Sequence, residues 1–495
     1  MVARARFMGE VDVCGKRNLL PSGLLVFALN VFVSFVAVAL RSPVSADEPA
    51  RSSDAKQATA ESQDATQLPK NLGTRKQGID WPDFLGPNRD NRSPETGIAT
   101  KWPEAGPRVV WTRALVDGYA APVISRGRLF QFDQHGGKAR LVALASETGK
   151  ELWKFEYRSA YQDMLGYDNG PRCCPVVDGD RVYLFGAEGM LHCLRAATGE
   201  VVWRLDTEKE FGVVQNFFGV GSAPLVEGDL LIAQIGGSPP GSPETYSGRV
   251  QGDGSGVVAF DKRTGKVKYK LTDELASYAS PVARTIGGRR WCFVFARGGL
   301  VAFEPASGKL DFHYPWRSRL LESVNASNPV VVDDYVLISE CYSIGASLLR
   351  VKPGGYDVVW KDGAKRDQSL ATHWNTPIYH DGYVYGSSGR HTPDAELRCV
   401  EFKTGKVAWS EPKLTRSSLL YVDGHFVCLC EDGVLRLVEA RADKYSEVAA
   451  CRLADEDGKP LLKYPAWAPP VLSHGLLYVR GKDRLVCLEL ITDKG

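Results

Sequence analysis

Short apolar runs separated by turn residues dominate the chain, and no stretch after residue 80 sustains the 3.6-residue period of an amphipathic helix. One unit recurs: a small residue and Pro, a few apolar residues, a tight turn, then a second apolar run. It starts at Pro122, Pro175, Pro224, Pro281, Pro329, Pro377 and Pro470, with a degenerate copy near Leu419, so there are eight copies spaced 42 to 57 residues apart. The turns between the two runs, among them Arg126-Gly127, Asp178-Gly179, Asp381-Gly382 and His474-Gly475, tolerate the positive φ of a tight hairpin. A second turn follows further on, as at Thr148-Gly149, Thr198-Gly199, Thr264-Gly265 and Thr404-Gly405, and then an aromatic at Trp153, Trp203, Tyr269 and Trp409. Each unit therefore holds four short strands and has no room for a helix.

A four-stranded sheet of this size cannot bury both of its faces alone. Stacking the copies around an axis does so, and the repeated aromatics then serve as plates between neighbours. The expected fold is all-β: an eight-bladed β-propeller of four-stranded antiparallel blades. The copy at Pro470 runs out of chain before its outer strand, whereas Arg108-Val109-Val110-Trp111 precedes the first copy and carries the missing aromatic. An N-terminal strand is thus expected to complete the last blade and remove an open edge.

The run Leu144-Ala145-Ser146-Glu147-Thr148-Gly149-Lys150-Glu151-Leu152-Trp153, with counterparts ending at Trp203 and Trp409, resembles the tryptophan-docking repeat of the quinoprotein, or PQQ-like, β-propeller family. The entry segment Trp81-Pro82-Asp83-Phe84-Leu85-Gly86-Pro87-Asn88-Arg89-Asp90 is similar to the lead-in of bacterial PQQ-binding-like and BamB-like propellers. The resemblance covers roughly residues 81–495. Repeated Trp-Asp pairs and kelch patterns are lacking. The family includes both PQQ-dependent alcohol dehydrogenases and scaffolds without a cofactor, so the resemblance alone fixes no activity.

Ahead of the repeats, residues 1–46 read as a signal peptide or N-terminal anchor. Arg4, Arg6, Lys16 and Arg17 precede an uncharged run from Leu19 to Leu40, and Val44-Ser45-Ala46 offers a cleavage site. Residues 47–78 are poor in large apolar side chains and read as a disordered linker, leaving 79–495 as the propeller. The protein is expected to be exported to the periplasm or cell envelope. Fifty glycines in 495 residues fit a turn-rich chain. The formal charge of +2 gives no bulk attraction to nucleic acid.

Residues just before each Pro should ring the central funnel: Tyr119, Asn169 and Arg172, Asn216 and Phe217, Tyr278, Asn325 and Asn328, His373-Trp374-Asn375, Arg416 and Trp467. The least generic of these lie in the fifth and sixth copies. There Glu340 and Tyr342 interrupt an apolar strand, and Arg390-His391 follow Gly389, so that with His373 and Asn375 they could form one polar cluster. Such a cluster could bind an anion, hold a metal or move a proton, or could simply tie two loops together. Cys173-Cys174 sits directly before Pro175, where other copies carry Ala or Ser. The family resemblance implies that such a pair can form a vicinal disulfide over a cofactor, while a small buried pair is the plainer alternative. Ten cysteines follow the leader, an even number that fixes no pairing. Gly236 to Gly256 is an insertion in the third copy. Motifs for covalent haem, zinc hydrolysis, a serine nucleophile or a phosphate loop are absent.

The candidate binding set is therefore Asn169, Arg172, Cys173, Cys174, Glu340, His373, Trp374, Asn375, Arg390 and His391, with no catalytic residue and no metal ligand assigned. The expectation is a non-catalytic binding or scaffold module that takes a protein or small-molecule ligand at the funnel, without a cofactor. The alternative that the resemblance implies is a PQQ- and calcium-dependent dehydrogenase acting on alcohols or sugars. Asp168, Asn169 and Glu340 stand nearest to the calcium-binding and catalytic set that it would need.

Overall fold

The computed structural model describes residues 68–363, 367–412 and 414–493. The leader, and the linker as far as residue 67, lie outside the described residues. Eight antiparallel four-stranded sheets follow one another in chain order. Blade one comprises Val123–Ser125, Arg128–His135, Lys138–Ala145 and Glu151–Arg158. Blade eight takes Val471–Ser473, Leu476–Arg480 and Arg484–Glu489 from the C-terminus and its outer strand, Val109–Ala114, from the N-terminal side. The expected closure is thus present. A one-turn helix, Thr207–Phe211, lies in the connection between blades two and three rather than in a sheet.

Within the blades the same positions recur as one cross-strand row. In blade two it reads Val176, Tyr183, Cys193, Trp203; in blade six Ile378, Tyr385, Cys399, Trp409; in blade eight Val471, Tyr478, Cys487, Trp111. A small residue on the third strand, Cys here and Ala143 in blade one, sits beside a register shift that tips the outer aromatic towards the next blade. There the indole finds both a donor's partner and a flat seat. Nε1 of Trp153 donates to Ala196 O at 3.3 Å, that of Trp203 to Lys262 O at 3.1 Å, and that of Trp360 to Phe402 O at 2.9 Å. Each ring lies over the turn glycine of that next blade: a Cβ on Gly199 would come within 2.5 Å of Trp153, and one on Gly265 within 2.8 Å of Trp203. Tyr269 substitutes its hydroxyl, which donates to Pro305 O at 2.5 Å.

The segment from Trp81 to Glu95 fills the axial channel. Trp81 bridges to Ile124 of blade one, and Pro82 O accepts from Val177 of blade two. Arg89, paired with Asp83 at 2.7 Å, donates to the carbonyls of Ala223, Pro224 and Pro281 in blades three and four. Asn91 donates to Leu419 O in blade seven, and Arg92 to Tyr379 O in blade six. Glu95 accepts from His474 and Gly475 in blade eight. A segment held by blades three and four on one side and by blade seven on the other must span the axis. It closes the channel.

Residues 68–78, assigned to the linker by composition, run along the closed face instead. Leu72 N donates to Arg126 O at 3.0 Å, Thr74 N to Glu147 at 2.6 Å, and Arg75 pairs with Glu489. Hydrogen bonds and one ion pair hold a stretch whose large apolar side chains are few.

Candidate functional site

Above this plug the funnel opens as a cavity of about 390 Å³. Its walls come from connections between blades and from turns between second and third strands, which share the open face. Tyr119, Arg172, Tyr278, Trp374, Arg416 and Trp467 reach it from the positions before each inner strand, as expected. Phe84 of the plug and Cys174 line its lower part. Leu165, Tyr167 and Tyr464 stand at the mouth, each more than half exposed.

The rings form a continuous belt. Trp467 lies 4.8 Å from Tyr119, 5.0 Å from Trp374 and 6.3 Å from Tyr167, and Tyr167 in turn approaches Phe218, which lies 5.6 Å from Tyr278. Set into this belt are three guanidiniums. Arg172 is anchored on the buried Asp163 at 2.5 Å and lies over Tyr119 and Phe218. Arg416 grips Glu431 through Nε and Nη2, at 3.0 and 2.7 Å, and stacks 4.5 Å over Trp374. Arg390 lies 4.5 Å over Tyr342 and is only loosely paired, at 3.7 Å, with Glu322 on the rim. Cation–π contact and carboxylate anchoring fix each charge before any ligand arrives.

Glu431 is the strongest residue that the sequence did not single out. It is 1% exposed and accepts from Arg416, from Trp467 Nε1 at 2.8 Å and from Thr392 at 2.7 Å. Burial by itself would raise its pKa, but these hydrogen bonds and the Arg416 charge outweigh burial and hold the carboxyl below the usual glutamate value. Glu340, also 1% exposed, is the opposite case. One oxygen accepts from Tyr342 N at 2.8 Å and the other has no partner, so burial pushes its pKa up to about 7.

His373 lies between these groups. Its Nδ1 faces Arg416 Nη1 at 3.4 Å and its Nε2 faces the Tyr342 hydroxyl at 3.1 Å. A guanidinium only donates, so Nδ1 accepts and the ring proton sits on Nε2, directed at Tyr342. The Tyr342 proton is then left to point elsewhere, and the cavity it lines is the open direction. Burial, followed by the charges of Arg416 and Arg390, drives the His373 pKa down to about 3, so the ring stays neutral.

Of the sequence candidates, Arg172, Cys174, His373, Trp374, Arg390 and His391 line the cavity. Asn169 and Asn375 do not. Their short amides satisfy nearby backbone: Asn169 accepts from Asp163 N at 2.9 Å, and Asn375 donates to Ser387 O at 2.9 Å. Asn216 and Asn325 likewise bond the carbonyls of Ala276 and Ala296, and Asn328 accepts from Ser280 N. Glu340 sits behind Tyr342 rather than on the wall. Cys173 turns into the core between blades two and three, while Cys174 belongs to the core of blade one and the cavity. The ten described cysteines are all free and buried.

Fold and site together define a PQQ-like propeller with an aromatic, arginine-bearing funnel. The family described as outer membrane protein assembly factor BamB matches residues 98–236 and 137–411, and the chain belongs to this family. The structure of BamB from Moraxella catarrhalis superposes with a TM-score of 0.51 at 14% identity, covering 77% of this chain and 97% of that one. The quinohemoprotein alcohol dehydrogenase from Comamonas testosteroni gives 0.59 at 14% identity, covering 84% and 82%. In sequence, quinohemoprotein alcohol dehydrogenase ADH IIB of Pseudomonas putida is 27% identical over 142 residues, which is 27% of this chain and 17% of that protein. The dehydrogenase subunit of a quinone-dependent alcohol dehydrogenase of Komagataeibacter europaeus is 29% identical over 140 residues, 26% of this chain and 17% of that protein. The matched stretch thus spans less than a fifth of these curated relatives.

The calcium ion that a quinoprotein dehydrogenase would use does not fit these residues. Calcium takes about six to eight oxygen ligands, yet the cavity presents three arginines and, at its rim, the single carboxylate Glu322. One oxygen of Asp168 accepts from Gly170 N at 2.7 Å and the other is buried without a partner, a single donor atom against the roughly six or more that calcium needs, and Glu431 is neutralised by Arg416. Among the described residues no group of three His, Cys, Asp or Glu side chains could hold a metal ion.

Proposed function

We propose that this protein is a non-catalytic binding propeller of the cell envelope, whose funnel takes a ligand with a flat body and an anionic edge. The observation that carries this is the belt of rings with Arg172, Arg390 and Arg416 set into it. Aromatic faces offer area at low entropy cost, and guanidiniums held in the wall favour an anionic partner. The closed floor limits the guest to a small molecule or to a protruding segment of a protein partner. Export to the envelope agrees with the apolar leader and with a family description that names outer membrane protein assembly.

The alternative, a PQQ-dependent dehydrogenase, draws support from the same lining, which suits a planar polyanion, and from the partial likeness to quinone-dependent alcohol dehydrogenases. The missing calcium donors weigh against it. Titration with PQQ, with and without calcium, separates the two. Quenching of Trp374 and Trp467 fluorescence without dye reduction by alcohols supports a binding module. Calcium-dependent, alcohol-driven dye reduction overturns it.

A further inference from the structure

A second cavity, of about 490 Å³, lies outside the funnel beneath the insertion that separates Leu230–Gln234 from Val257–Asp261. No residue lines both cavities. Tyr246 and the glycines of the insertion form one wall, and Arg297, Arg317 and Leu321 form another.

Two guanidiniums meet here, neither in an ion pair, although Asp273 and Glu274 also line the cavity. Arg297 is 4% exposed; it donates to Ser323 O at 3.1 Å and to Leu321 O at 2.5 Å and lies 4.5 Å over the Tyr246 ring. Arg317, half-buried beside it, makes a 3.5 Å contact with the same Leu321 carbonyl. Neither has a carboxylate at salt-bridge distance among the described residues, unlike Arg172 and Arg416 in the funnel. The carboxylate nearest to hand is already engaged: Glu274 accepts from Gly298 N at 2.6 Å and pairs with His313 at 2.8 Å. Asp273 stands on the exposed rim. Tyr246 lines the same cavity, with its ring against the Arg297 guanidinium.

A buried cation that lacks a counter-ion is costly, and an anion drawn from solvent supplies what the fold omits. We propose that this cavity binds the phosphate group of a small ligand between Arg297, Arg317 and the Tyr246 hydroxyl. Arg297, Arg317 and Tyr246 line the cavity from three separate chain segments, a placement that suits the divergent oxygens of a tetrahedral anion better than a planar carboxylate. Burial, aided by the neighbouring Arg317 charge, pulls the Arg297 pKa down to about 10, the strain that a bound anion relieves.

The test uses calorimetric titration of the full chain with inorganic phosphate, with acetate at matched ionic strength for comparison. Arg297 also anchors two loop carbonyls, so the informative variants are Arg317→Gln and Tyr246→Phe. Phosphate should bind more tightly than acetate, and Arg317→Gln should weaken it by about tenfold, with a smaller loss in Tyr246→Phe. Arg452→Gln, on the exposed surface and outside both cavities, should leave phosphate binding unchanged. Absence of binding, equal affinity for acetate, or a loss that follows Arg452→Gln and spares Arg317→Gln would overturn the proposal.

Discussion

The indole Nε1 of Trp111 donates to Ser146 O at 2.9 Å, and its ring lies so close to Gly149 that a Cβ there would approach within 2.8 Å. This seam joins blade eight to blade one and has the same geometry as the seams inside the ring, so closure uses the ordinary interface of the repeat.

Gly149→Ala should therefore destabilise by more than left-handed strain alone. Gly424 supplies the comparison: its φ of +74° is close to the +69° of Gly149, but nothing lies within 4 Å of its Cβ position. Gly424→Ala should cost about 1 kcal/mol and Gly149→Ala about 1–3 kcal/mol more, as read by denaturant unfolding. Equal costs would show that the ring is not seated as described.

Removing Arg416 strands the Glu431 carboxylate in the funnel wall. Arg416→Ala should cost about 3–5 kcal/mol, whereas the double variant with Glu431→Gln should recover part of that loss. In the unaltered protein the depressed Glu431 pKa means that its contribution is complete above the ordinary glutamate range and is lost as pH falls through the lower folded-state value. Unfolding measured at stepped acid pH, with and without Glu431→Gln, checks the sign.

Glu340 should show the reverse dependence. Its raised folded-state value, about 7, makes its contribution complete below the ordinary glutamate range and progressively lost as pH rises through neutrality. Glu340→Gln should flatten the fall in melting temperature between weakly acidic and weakly alkaline buffers. An unchanged slope would mean that the carboxyl is already ionised in the folded protein.

Arg89 ties the axial plug to blades three and four. Arg89→Ala removes the cation paired with the half-buried Asp83, and should cost about 3–5 kcal/mol with little relief from added salt, since Arg89 is buried and the Asp83 side chain is only 14% exposed. Thermal unfolding at low and high ionic strength measures it.

The propeller was legible because its signals are local. Asp381-Gly382 and Thr404-Gly405 announce turns whatever surrounds them, and Pro before every inner strand but that of blade seven marks its start. Position relative to that Pro also located Tyr119, Arg172, Trp374 and Trp467, whose side chains are long enough to reach the axis. The same rule overextended to Asn169, Asn216, Asn325, Asn328 and Asn375, because a short amide at a strand end bonds the backbone before it reaches the funnel. Glu431 looks like an ordinary turn acid in Glu431-Asp432-Gly433, and only folding brings Arg416, Thr392 and Trp467 around it. Phe84 escaped notice for a similar reason: its place beneath the cavity depends on a segment crossing the ring between blades far apart in sequence. The hydrogen bonds of residues 68–78 could not be read ahead, because hydrogen bonding, unlike apolar content, leaves little trace in composition.

The outer strand of blade eight, Val109–Ala114, is made before seven whole blades, and the strand that receives it, Arg484–Glu489, is made after them. The circle therefore cannot finish until that late strand has been synthesised: early residues must wait, unpaired, while the blades between are made. Cutting the chain shortly before Arg484 would deprive Val109–Ala114 of its partner and leave the first and last blades facing water.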